Sequence, residues 1–165
     1  NKRYIEFCKP FIDSITDIYK TMMSVELIAD KPEISDGSKQ IGDISSMMGI
    51  SGVYEGEGEK RNFKGNLMIS WSMDSYVKTA GAMLMEEFSE FNDEIADVGM
   101  EICNITMGGA KSVLNTKGYL IEMSIPTSMR GKELQYKPQE GVVTISTILK
   151  SNIGSVCVSL NYEDE

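Results

Sequence analysis

Two stretches that mix small, polar and apolar residues in a β-like pattern, IGDISSMMGISGVY (41–54) and NFKGNLMISWS (62–72), are separated only by EGEGEKR. So short a connection, charged and carrying two glycines, turns the chain back on itself, and the pair reads as an antiparallel β-hairpin. A second hairpin is expected near the end, where GVVTISTILK and GSVCVSLNY flank the turn SNI. YLIEMSI and a short strand near ELQY precede it. Three helices complete the pattern. The first runs from Pro10 to Met23, with Phe11, Ile15, Ile18, Tyr19 and Met22 on one face at steps of three and four. Proline opens it, where a missing N–H is tolerated. Residues 24–40 read as an extended segment and loop around Pro32 and Gly37. DSYVKTAGAMLMEEF (74–88) is the second helix, with Asp74 as N-cap, and a third covers about 90–114. Consecutive hairpins favour antiparallel pairing, so the expected fold class is α+β, a mostly antiparallel β-sheet with long helices packed on one face.

At 165 residues the chain is the size of one domain, 1–165, and long enough to bury a core. Its 41% hydrophobic and 25% charged content is that of a globular protein. With 16 basic and 25 acidic side chains the net charge is -9, which repels a phosphate backbone or an anionic membrane and argues against nucleic acid as a partner. No run approaches the roughly 20 apolar residues of a membrane span, and no basic-then-apolar leader marks a signal peptide. Cys8, Cys103 and Cys157 are odd in number and scattered, without disulfide or zinc spacing, which fits a reducing, cytoplasmic setting. There is no histidine, so Ser-His-Asp and Cys-His nucleophiles, histidine-ligated metals and phosphohistidine transfer are excluded.

What remains is carboxylate, amide, hydroxyl and lysine chemistry, and the third helix concentrates it. In DEIADVGMEICNITMGGAK (93–111), Asp97, Glu101, Asn104, Gly108 and Lys111 fall within an arc of roughly 80° on one side. Phe91, Ile95, Val98, Ile102, Ile105 and Val113 make one apolar flank; Ala96, Cys103, Met107, Ala110 and Leu114 make the other. The helix thus reads as largely packed, with one polar window. Gly99, Gly108 and Gly109 each cost about 1 kcal/mol relative to alanine in a helix interior. Close approach of another backbone, inside the fold or from a partner, is the usual compensation. On spacing alone, a solvated helix face is the simpler account, since E-x-x-N arises by chance in many helices. The twelve methionines divide the same way: Met22, Met23, Met47, Met48, Met83 and Met85 suit core filling first and an adaptable binding surface second. The terminal NYEDE reads as a solvated tail.

The segment Asp97-x-x-x-Glu101-x-x-Asn104 running into GGAKSVL resembles the signature of the CheC, CheX and FliY family of chemotaxis phosphatases. KPFIDSITDIYKTM resembles the opening helix of CheX, and GDISSMMGISG with FKGNLMISWS resembles its early strands. Only one copy of the D-x-x-x-E-x-x-N motif is present, since the helix from Pro10 to Met23 has neither glutamate nor an E-x-x-N, and in this the chain resembles CheX rather than CheC. Pro126 lies one residue closer to Asn104 than the proline of the family pattern, a difference that a shorter turn at TKG absorbs. The resemblance implies a CheC-like fold and hydrolysis of the aspartyl phosphate of a CheY-like response regulator. Asn104 would position the attacking water, and Glu101 would pair with the regulator's lysine. Asp97, Gly108 and Lys111 are the candidate partner-binding positions. No cofactor of the chain's own is implied, Mg²⁺ being carried by the phosphorylated regulator. The resemblance also implies a homodimer through a sheet edge, for which VCVSLNY is the candidate strand. A non-catalytic module of the same fold, docking on a regulator or a flagellar switch partner, is the alternative.

Overall fold

The computed structural model describes residues 2–35, 40–135 and 142–164. Helix α1 (Lys2–Met23) is followed by the short strands β1 (Ile28–Ala29) and β2 (Glu33–Ser35), then the long hairpin β3 (Gln40–Gly56) and β4 (Glu59–Trp71). Helices α2 (Met73–Leu84) and α3 (Val98–Asn115) come next, then β5 (Tyr119–Met123), β6 (Thr127–Gln135), β7 (Thr144–Lys150) and β8 (Val156–Asp164). The strands form one antiparallel sheet in the order β1-β7-β8-β4-β3-β5, with β2 on β7 and β6 on β3. The hairpin closes more tightly than EGEGEKR suggests. Glu57 and Gly58 alone make the turn, at φ 52° and 77°, the positive-φ pair that matches strand twist.

Register assigns the faces. Ile44, Met48 and Ile50 of β3 share a face with Leu67, Ile69 and Trp71 of β4 and with Val156, Val158 and Leu160 of β8. All of these are buried, and all three helices cover them. Phe7 of α1 meets Phe63, Tyr119 and Tyr162 of the sheet, while Trp71 stands edge-on to Tyr76 of α2. The opposite face carries small polar pairs, Ser45 with Ser70 at 3.0 Å and Ser146 with Ser159 at 2.9 Å. The α+β architecture with helices on one face is therefore as expected.

Several local expectations are revised. Helix α1 begins at Lys2, placing Pro10 inside it, because Phe7, Cys8 and Phe11 form one buried face across the proline. Asp74 is not the N-cap of α2. Ser72 is: its hydroxyl accepts from the Ser75 N–H at 3.2 Å, and Asp43 accepts from the Met73 N–H at 2.8 Å. Asp74 instead pairs with Lys78, one turn along. The third helix starts at Val98 rather than near 90, since residues 93–97 are taken up by turns that swing Ile95 into the core. NYEDE is no free tail: β8 runs through it to Asp164, Tyr162 is 3% exposed, and Arg61 pairs with Asp164. VCVSLNY is not a sheet edge, because β8 lies between β7 and β4. The strand near ELQY is part of β6, and its Tyr136 lies outside the described residues. Among the described residues no helix is long and apolar enough to cross a membrane.

Candidate functional site

Helix α3 packs on the sheet beside α1. Ile102, Cys103, Thr106, Met107, Ala110 and Leu114 are fully buried beneath it. Its three glycines divide by environment. A Cβ on Gly99 would stand 2.8 Å from the Ser46 hydroxyl, 3.0 Å from the Tyr76 ring and 3.1 Å from the Trp71 ring; one on Gly109 would stand 2.4 Å from the Ser14 hydroxyl of α1. Both therefore allow close packing inside the fold. A Cβ on Gly108 would meet nothing within 4 Å. That glycine belongs to the polar window, and nothing in the described fold requires it.

The window itself faces outward. Asp97, Glu101 and Asn104 are exposed, and Gly108 and Lys111 are half-buried. Asp97 sits at the N-cap position, one residue ahead of the helix proper, and its side chain caps nothing. Its backbone carbonyl accepts from the Glu101 N–H at 3.1 Å, so the two residues keep helical spacing. The side chains of Glu101 and Asn104 make no hydrogen bond or ion pair with any described residue. A carboxylate and an amide one turn apart, both held out on a packed helix, can accept from and donate to an incoming molecule without first breaking an internal contact. The flanks are as expected except at Val113, which is 42% exposed, and at Phe91, Ala96 and Ile105, which are only partly buried.

Sequence reasoning missed what anchors this helix. The Tyr76 hydroxyl of α2 accepts from the Gly99 N–H at 2.9 Å and donates to the Ile95 carbonyl at 2.7 Å, with the Ala96 carbonyl second at 3.1 Å. Burial pushes this hydroxyl's pKa above its ordinary value; the Gly99 N–H works against that, and nearby Asp97 adds to it. It stays protonated and able to donate. Arg130 of β6 was missed as well, its guanidinium lying 4.3 Å over the Phe91 ring beside the start of α3. A buried tyrosine hydroxyl needs a partner, so Tyr76 and the costly Gly99 were both signals. Nothing in the sequence paired them. Among the described residues no cluster of acidic or cysteine side chains could hold a metal ion.

The sequence model described as Chemotaxis phosphatase CheX matches residues 44–149, more than half of the chain, including the whole of α3. This chain belongs to the CheX family. Solved structures agree. A CheC-like superfamily protein from Shewanella sp. PV-4 is 27% identical, with a TM-score of 0.83 over 96% of this chain and 98% of that one. A chemotactic CheC-like protein from Shewanella oneidensis MR-1 is 29% identical, with a TM-score of 0.81 over 97% and 99%. The CheX of a CheX-CheY-BeF3-Mg2+ complex from Borrelia burgdorferi shares the fold at 22% identity and a TM-score of 0.73, over 98% and 99%. No curated protein matches this chain. Membership assigns it to the chemotaxis phosphatases.

Proposed function

We propose that this member of the family hydrolyses the aspartyl phosphate of a CheY-like response regulator, with the window on α3 inserted beside the acyl phosphate. The observation that carries the reading is the exposed, uncommitted pair Glu101 and Asn104, one turn apart on an otherwise packed helix. In the reaction, water oxygen attacks phosphorus, the bond from phosphorus to the aspartate oxygen breaks, and the water's proton leaves with inorganic phosphate. Asn104 suits the water: its carbonyl accepts from the water O–H, and its amide adds no negative charge beside an anionic transition state. Glu101 suits a charge-assisted pair with the regulator's lysine. Asp97 and Lys111 border the docking surface, and Gly108 leaves room for the partner's backbone. The Mg²⁺ that steadies the phosphoryl oxygens arrives with the regulator, and the protein works in the cytoplasm. Support for the partner comes from the Borrelia burgdorferi complex, in which a protein of this fold is held with CheY.

Dimerisation is part of the proposal, through an edge other than β8. The outer side of β5, with Leu120 at 50% and Ile125 beyond it at 86% exposure, is the better candidate.

The deciding experiment is the decay of a radiolabelled phospho-regulator from the same organism with wild type, Asn104→Ala, Glu101→Ala and no added protein. Wild type should accelerate decay. Asn104→Ala should lose about a hundredfold, the scale of a misplaced reacting group. Glu101→Ala should lose about 1.5–3 kcal/mol of docking, expressed in KM. Wild-type decay equal to background for every regulator, with regulator binding intact, would favour the non-catalytic module.

A further inference from the structure

Helix α3 has an N-terminus that its own backbone does not secure. Asp97 occupies the N-cap position without capping. Gly99, second in the helix, has an N–H with no partner inside the helix, since the first N–H groups of any helix are orphans. The Tyr76 hydroxyl takes that N–H at 2.9 Å and gives its own proton to the Ile95 carbonyl at 2.7 Å, bridging the turn before α3 to its first turn. The tyrosine cannot swing away. It is 1% exposed, its ring stands edge-on to Trp71 with centroids 5.3 Å apart, and a Cβ on Gly99 would crowd both rings.

The support continues behind it. Tyr76 lies one turn into α2, whose start is fixed by Ser72 and by Asp43 from β3. Trp71 is tied through its indole N–H to the Tyr19 hydroxyl at 2.9 Å, which shares a hydrogen bond with Thr79 of α2 at 3.1 Å. From the hairpin to α2 to the start of α3, buried polar contacts fix where the helix begins. A helix held at its first turn has its later residues set by 100° steps, so the directions of Glu101 and Asn104 follow.

We propose that Tyr76 is a positioning residue for the phosphatase window, acting through the start of α3 on Glu101 and Asn104. The claim rests on the reading of α3 as the reacting helix. It requires that loss of one oxygen atom, buried and out of the partner's reach, reduce turnover more than it disturbs the fold. Reacting groups need placement within about 0.5 Å, and a displacement of about 1 Å can remove about a hundredfold in rate.

The test compares wild type, Tyr76→Phe and Tyr19→Phe. Both variants delete one buried hydroxyl and orphan its partners, but of the two hydroxyls only that of Tyr76 hydrogen-bonds α3. Two readouts are taken on protein shown to be folded: kcat at saturating phospho-regulator, and amide exchange along residues 98–104. In wild type, the Gly99 amide should exchange at least tenfold more slowly than an uncapped second-position amide. Tyr76→Phe should remove that protection and lower kcat tenfold or more, whereas Tyr19→Phe should leave both within about twofold of wild type. Fast Gly99 exchange in wild type overturns the clamp even if Tyr76→Phe does not fold. Lost protection with unchanged kcat overturns the positioning role, as does an equal fall in kcat for Tyr19→Phe. If wild type turns over no regulator, the phosphatase reading fails on that result; exchange and regulator affinity in Tyr76→Phe then decide the positioning claim, unchanged affinity overturning it.

Discussion

Gly108 offers a case in which stability and function should move in opposite directions. Glycine in a helix interior costs about 1 kcal/mol relative to alanine. At Gly108 an added Cβ meets nothing within 4 Å, so Gly108→Ala should recover that amount with no steric penalty. For a chain of 165 residues this raises Tm by about 2–4 °C. Two sister substitutions calibrate the expectation. Gly109→Ala gains the same helix propensity but sets its Cβ 2.4 Å from the Ser14 hydroxyl and 3.3 Å from the Ser14 Cβ, so the close approach of α1 cancels the gain. Gly99→Ala meets two rigid rings and a buried hydroxyl at 2.8–3.1 Å, overpacking that costs about 1–3 kcal/mol. The order in Tm should be Gly108→Ala above wild type, Gly109→Ala at or below it, and Gly99→Ala lowest.

The functional half follows from the same geometry. If the partner's backbone approaches the window at Gly108, a methyl there overpacks the interface by about 1–3 kcal/mol, roughly 5- to 150-fold in affinity. The assays are thermal denaturation and titration of the regulator in its phosphorylated or BeF3-bound form. A stabilised Gly108→Ala with wild-type affinity would falsify close approach at this position. A destabilised one would refute the open environment itself.

Two further outcomes concern stability alone. Met85, at φ 58° and 91% exposed, closes α2 in the left-handed conformation while its N–H bonds the Gly81 carbonyl. Met85→Gly should stabilise the protein by about 1 kcal/mol, and no gain in urea midpoint would count against the strain. Burial pushes the Cys8 and Cys103 thiols from 9.0 up to about 12. Below about pH 9 both folded and unfolded chains keep them protonated; between about pH 9 and 12 only the unfolded chain releases the protons. Stability should therefore fall as pH rises through that window, by up to about 1.4 kcal/mol per pH unit for each thiol. A Cys103→Ala protein that loses stability over pH 9–11 as steeply as wild type would contradict this.

How far the sequence could be read depended on whether a signal was local. The β3–β4 hairpin was legible because alternation and a charged glycine-containing connection act within a few residues, and the stripe Asp97, Glu101, Asn104 because helical spacing is arithmetic. The cap of α2 was misassigned by two residues, since Ser72 and Asp74 are equally good capping types and only the position of β4 selects between them. The edge role of VCVSLNY failed for a different reason. Alternation identifies a strand but not its neighbours, and β4, about ninety residues earlier, covers the side expected to be free. The start of α3 depended on Tyr76, more than twenty residues away, and no periodicity reports such a pairing.

These misses share a cause with the site's design. In the proposed reaction an inserted side chain works only if it is unpaired before the partner arrives, and Glu101 and Asn104 make no internal contacts among the described residues that would fix their own helix. The burden falls on buried groups behind them: Gly99 and Gly109 let α3 sit close to its neighbours, and Tyr76 satisfies the polar groups at its start. On the proposed reading the exposed face carries the chemistry that a sequence pattern reveals, and the buried face carries the precision that only the assembled fold reveals. A substitution on the first should change the reaction while leaving stability nearly alone. One on the second should change both, and the Tyr76→Phe and Tyr19→Phe pair separates its effect on α3 from its effect on the core.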